Sequence, residues 1–223
     1  MQDIKAERWG TPPDELSLGE DEVHVWRIRL DVRSAQVPAL APVLTRAERR
    51  AMKRATAPKH YLSTRHTIRL VLGAYLRCEP SAVKLDDLGA ERVQVAGGAG
   101  PHIALDTCGR RALLAVSATQ RVGVAIEEFP SEREVDALLH DLPPREARQM
   151  AFLSTQNRAS AVTGHQVEQA AVERLVAAGG AADSRVERLK VGGSHVAALA
   201  AEGWDWSPSF WRYQRPGESD QED

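Results

Sequence analysis

Two adjacent carboxylates, Glu127 and Glu128, close the apolar run Val122–Ile126, at the point where a buried strand meets solvent. Acids at a strand end beside a cleft can hold a cation or move a proton; otherwise they solvate the end of the strand. A second feature with chemical potential lies on a basic helix. Arg65 and Arg69 stand four residues apart beside Lys59. Two guanidiniums one helical turn apart can grip a phosphate bidentately, or simply form a solvated face.

The elements that must position these groups can be read from the spacing of apolar residues. Ile103–Leu105, Ala112–Val116 and Val122–Ile126 are three short β-compatible runs broken by turn residues, and the pattern predicts adjacent antiparallel strands. Val23–Leu30 alternates and predicts a strand with one mostly apolar face, carrying His24, Trp26, Ile28 and Leu30. Thr45 precedes Glu48 by three, which predicts a capped basic helix. Ile68, Val71, Leu72, Tyr75 and Leu76 form the buried stripe of a helix over His60–Arg77. Beyond it the pattern predicts a helical turn at Pro80–Leu85, a strand at Glu91–Val95 and a tight turn at 97–100. Ser131 with Glu134 predicts a helix over Glu132–His140, and Pro143–Pro144 starts a short one through Met150. A long Ala-rich helix follows over Asn157–Ala178 and stops at Gly179–Gly180. Strands are predicted at Arg185–Val191, Ser194–Ala200 and Ser209–Tyr213.

The expected fold class is therefore α+β, with two similar halves, a pseudo-duplication, and a cleft at their interface. The divisions are a lead-in at 1–21, an N-terminal half at 22–119, a C-terminal half at 120–215 and a disordered acidic tail at 216–223. The chain has 223 residues, 43% hydrophobic and 27% charged, enough to bury a substantial core. A net charge of −2 gives no reason to expect nucleic acid or a membrane surface. Cys78 and Cys108 make neither a disulfide framework nor a zinc pattern. The charged N-terminus and the lack of a long apolar run point to a cytoplasmic protein.

Together, VHVWRIRL, LTRAERRA, RHTIRLVLGAYL followed by EPSAV, and RVGVAIEE resemble the Sfp-type 4′-phosphopantetheinyl transferases over residues 23–200. These enzymes move phosphopantetheine from coenzyme A to a serine of an acyl or peptidyl carrier protein. The resemblance implies two similar α+β halves with coenzyme A and magnesium at their interface. It also matches Arg69 to a coenzyme A-contacting arginine.

The motifs are eroded. Cys108 stands where the family has a phosphate-contacting histidine. In the metal motif Gly-φ-Asp-φ-Glu, with φ apolar, Ala125 replaces the Asp and Glu127 keeps the Glu. In Trp-x-x-Lys-Glu-Ala, matched to GHQVEQA over Gly164–Ala170, Gly164 replaces the Trp, Val167 the Lys, and Glu168 keeps the Glu. Phosphoryl transfer rests on positioning and electrostatic stabilisation. Removing one preorganised stabilising group costs about 10²–10³ in rate.

The resemblance thus implies a divergent, repurposed member from polyketide or nonribosomal peptide biosynthesis. It would bind a bulky apolar intermediate and promote a metal-independent step such as cyclisation. Glu127, Glu168 and Cys108 are the catalytic candidates, and Arg65, Arg69, His102, His165 and Glu128 the binding candidates. No metal ligand set and no cofactor are expected. One alternative is an active transferase using coenzyme A and magnesium through Glu127, Glu128 and Glu168. The other is a non-catalytic module that docks a carrier protein. If Glu127 is buried beside Ala125, its pKa would rise and suit it to general acid work.

Overall fold

The computed structural model describes residues 9–87, 93–98, 100–141, 145, 148, 150 and 152–215. The helix expected from Pro143 to Met150, the acidic tail after 215 and the first eight residues of the lead-in lie largely or wholly outside them.

In chain order the elements are β1 (Glu22–Arg29), α1 (Val37–Leu40), α2 (Arg46–Met52), α3 (Pro58–Leu76), β2 (Leu85–Asp87), β3 (Val93–Val95), β4 (His102–Cys108), β5 (Arg111–Ser117), β6 (Val122–Glu128), α4 (Glu132–Asp141), α5 (Thr155–Ala177), β7 (Arg185–Lys190), β8 (His195–Ala201) and β9 (Ser207–Arg212). The fold is α+β. One sheet has the order β4-β5-β1-β9 and another β6-β8-β7, with β2 and β3 forming a separate hairpin.

Alternation along the strands builds four layers. Val23, Val25, Leu113 and Ala115 of the first sheet meet Val124, Ile126, Leu189, Ala197 and Leu199 of the second in one core. The other face of the first sheet, through Trp26, Ile28 and Leu114, receives Ile68, Val71 and Leu72 of α3. The other face of the second sheet, through Ala125, Ala198 and Ala200, receives Val167, Ala171 and Leu175 of α5. The order is helix, sheet, sheet, helix. β1 is consequently covered on both faces, whereas alternation alone predicts one: Val23 and Val25 are fully buried like Ile28.

Two expectations about strand partners change. β4 and β5 pair antiparallel, as the turn at Gly109–Arg110 requires. β6 does not continue that sheet; it pairs with β8, because the second edge of β5 is taken by β1. β9 joins the first sheet, parallel to β1, even though it follows the strands of the second.

Local signals account for the helices. Glu48 Oε2 accepts from Thr45 N at 2.8 Å while Thr45 Oγ1 accepts from Glu48 N at 3.2 Å, the reciprocal cap that starts α2. Ser154 Oγ accepts from Asn157 N and starts α5. Gly123 lets α5 lie directly on β6: a Cβ there would overlap the Ala171 carbonyl oxygen and stand 2.6 Å from Leu175 N. Among the described residues, no helix is long and apolar enough to cross a membrane.

Candidate functional site

The end of β6 carries Glu127 and Glu128, both exposed. A strand turns successive side chains to opposite faces, so the two acids part company. Glu127 lies on the α5 side with Gly123 and Ala125. Glu128 lies on the side of the first sheet, and its Oε1 accepts from Ser194 Oγ at 2.9 Å. The exposure of Glu127 removes the ground for burial-driven general acid behaviour there.

Ala125 is 1% exposed and sits in the cluster with Val167, Ala171 and Leu175 of α5. Glu168 is half-buried on α5, where its Oε1 accepts from Arg188 Nε at 3.1 Å and lies 3.0 Å from Nη2. Gly164, one turn earlier, makes this pair possible. A Cβ on Gly164 would overlap the guanidinium carbon of Arg188 and stand 2.5 Å from its Nη1.

Magnesium demands near-octahedral oxygen ligation. The residues at the matched positions do not fit it: a packed methyl at 125, a carboxylate at 168 already held by a guanidinium, and two adjacent acids pointing apart. Among the described residues, no group of three His, Cys, Asp or Glu is placed to share a metal ion.

The basic helix also departs from expectation. Arg69 is 2% exposed and turned inward. Its Nε donates to both oxygens of Glu48, at 3.2 and 2.9 Å, and its Nη1 to the carbonyls of Pro80 and Val83, at 3.2 and 2.7 Å. Arg69 thus closes the α2–α3 corner and is not presented to a ligand. Arg65 is also buried, with its guanidinium 5.3 Å from the Tyr61 ring centre. The two arginines do not form an exposed phosphate grip.

Cys108 ends β4, half-buried. Burial pushes its thiol up, and the Glu127, Glu128 and Asp106 carboxylates push the same way, against a hydrogen bond from the Glu128 backbone. It rests as a thiol, unsuited to nucleophilic attack. His165 is half-buried on α5.

His102, at the other end of β4, lines a cavity of about 380 Å³ with Leu105, Arg121, Arg174 and Ala177. Burial and then Arg121 lower its pKa, partly offset by Glu202, so the ring is neutral near pH 7. A second cavity of about 400 Å³ opens between the far ends of the sheets, lined by Arg29, Arg111, Glu128 and His195.

Sequence reasoning passed over three residues: Asp106 and Arg174, at the junction of the sheets, and Arg188, on the face of the second sheet that α5 covers. Asp106 Oδ2 accepts from Ile126 N at 2.8 Å, and its Oδ1 accepts from Arg174 Nη2 at 2.9 Å, while Arg174 Nη1 donates to the Val124 carbonyl at 3.1 Å. Desolvation pushes the Asp106 carboxyl up to about 6, against the Ile126 hydrogen bond and Arg174. The available signal was a lone acid at the centre of a β-run, HIALDTC. Arg188 is the third, and nothing in its local sequence marks it.

Comparison with known proteins supports a relationship to the 4′-phosphopantetheinyl transferases. The chain is 27% identical over 236 aligned residues to the 4′-phosphopantetheinyl transferase HetI of Nostoc sp., covering 92% of this chain and 98% of HetI. No protein-family model matches the chain.

Proposed function

We propose that this protein works in natural-product biosynthesis with carrier-bound or coenzyme A-derived substrates, and that it has given up the metal-dependent transfer of phosphopantetheine. The observation carrying this reading is the occupation of the matched metal position by the Ala125 methyl and the Glu168–Arg188 pair, in a chain that aligns with a transferase along nearly its full length. The halves also follow one plan, which supports a pseudo-duplication. β1, α3, β4 and β5 give the strand order β4-β5-β1, and β6, α5, β7 and β8 give β7-β8-β6.

The cavity beside His102 is the candidate cleft. It lies between β4 of one half and α5 of the other, and its walls mix apolar side chains with Arg121 and Arg174. A bulky, largely apolar intermediate with one polar end fits such walls. Holding its reacting ends in a near-attack conformer can be worth several kcal/mol without any metal, which suits a cyclisation.

The first test is calorimetry with coenzyme A, with and without magnesium, paired with mass spectrometry of an apo carrier protein offered both. The expected result is no metal-strengthened binding and no mass gain. A carrier that gains phosphopantetheine in the presence of magnesium overturns the reading. It would establish the second one, an active transferase, which the alignment with HetI favours. A stable complex with the carrier protein and no chemical change would mark the protein as a docking module.

A further inference from the structure

Across the second sheet, Ala125 pairs with Ala198 and Ala198 with Arg188. The three side chains therefore form one row on the face that α5 covers. Adjacent strands lie about 4.8 Å apart, so the position that lacks the family's Asp and the position that carries the arginine are separated by about 10 Å. Ala198 between them is small. The guanidinium enters the space left by Gly164 and reaches Glu168, the surviving carboxylate of the matched helix motif. An anion is missing at one end of the row and a fixed cation is present at the other.

We propose that the Arg188 guanidinium takes the place of a divalent cation in this row and anchors the phosphoryl or pyrophosphoryl group of a ligand without metal. The inference rests on the transferase-like reading above, which sets positions 125 and 168 as the relevant ones. Arginine suits the role because its charge is permanent and its planar fork matches phosphate oxygens. Nε and Nη2 hold Glu168, which fixes the plane of the fork, and Nη1 has no hydrogen-bond partner among the described residues. The Arg188 side chain keeps 28% of its surface exposed and Glu168 keeps 35%, so a ligand can reach the pair. Gly164 is the enabling substitution, since any side chain there would expel the guanidinium.

The charge order has a consequence that a metal site does not share. In a metal site Glu168 would help to hold the anion by holding its cation. Here Glu168 competes with the anion for Arg188.

The test is titration of the full chain with inorganic pyrophosphate in EDTA, followed by calorimetry, with thermal melts confirming that each variant is folded. Wild-type protein is expected to bind, and magnesium is not expected to strengthen binding. Arg188→Met should weaken binding about 10- to 100-fold, the effect of losing hydrogen bonds to a charged group, with Arg188→Lys in between. Glu168→Gln should tighten binding several-fold. Absence of pyrophosphate binding in EDTA, indifference to Arg188→Met, or weaker binding in Glu168→Gln would each overturn the proposal. Coenzyme A in parallel separates the two claims. Arg188-dependent pyrophosphate binding without any coenzyme A or carrier interaction keeps this inference and removes the reading it grew from. Coenzyme A binding insensitive to Arg188→Met does the reverse.

Discussion

Asp106 offers a quantitative test of how the two sheets are joined. It is an edge-strand residue of the first sheet whose carboxylate accepts from the backbone of β6 and from Arg174 of α5. Its side chain is 14% exposed, so solvent screening leaves most of the desolvation penalty in place. The carboxyl is raised from 3.8 to about 6, a shift of about 2. The sign follows directly. Between those values the folded protein binds a proton that the unfolded chain does not, so stability falls as pH rises through about 4 to 6 and levels off above. At about 1.4 kcal/mol per pKa unit the difference is about 3 kcal/mol, or roughly 6–12 °C in melting temperature for a chain of this size. Other acids titrate in the same window, so the informative quantity is wild type minus Asp106→Asn, from urea unfolding at pH 4.5 to 8. Asparagine can still accept from Ile126 N but carries no charge. Wild type should lose about 2 kcal/mol relative to the variant between pH 4.5 and pH 8, the part of the full difference that falls inside this window. If wild type instead gains on the variant as pH rises, the Arg174 pair outweighs desolvation and the reasoning fails.

Three further outcomes are expected. Arg69→Met strips Glu48 of its buried partner and leaves two carbonyls unsatisfied, so it should cost about 3–5 kcal/mol in urea unfolding; a loss under 1 kcal/mol would show that Arg69 is not the corner's fastener. Gly123→Ala drives a methyl into the backbone of α5 and should cost several kcal/mol, or prevent folding, whereas Gly97→Ala, with nothing near its Cβ, should cost only the strain of its positive φ. Iodoacetamide at pH 8 should alkylate exposed Cys78 well ahead of Cys108; comparable rates by peptide mapping would contradict the raised thiol.

The features that sequence disclosed are those settled within a few residues. The Thr45–Glu48 cap, the stripe Ile68–Leu76 on α3 and the β4–β5 hairpin are local matters of hydrogen bonding and periodicity, and the structure contains all three. What was not legible depended on distant chain. The period of β6 is the same whether it pairs with β5 or β8, so its crossing to the second sheet leaves no trace in its own residues. An arginine's charge suggested a ligand grip on α3, but four oxygens from Glu48, Pro80 and Val83 claim Arg69 for the interior. At the candidate site, the resemblance sets Ala125 against the family's Asp, a reading available from the motif spacing alone. The entry of Arg188 into the Gly164 gap was not legible, because those residues meet only when β7 folds under α5.

The parallel pairing of β9 with β1 gives the polypeptide's order of synthesis a physical cost. β1 emerges early, yet one of its hydrogen-bonding edges finds its partner only when residues 207–212 arrive, and Gly10 is stitched to the same last strand through the Phe210 carbonyl and Arg212 N. For the whole time between, a nascent chain displays the apolar strand VHVWRIR with a row of open amides, a template for pairing with another chain. Shortening the protein before residue 207 would make that transient hazard permanent, and the remaining strands should aggregate although they contain most of both cores.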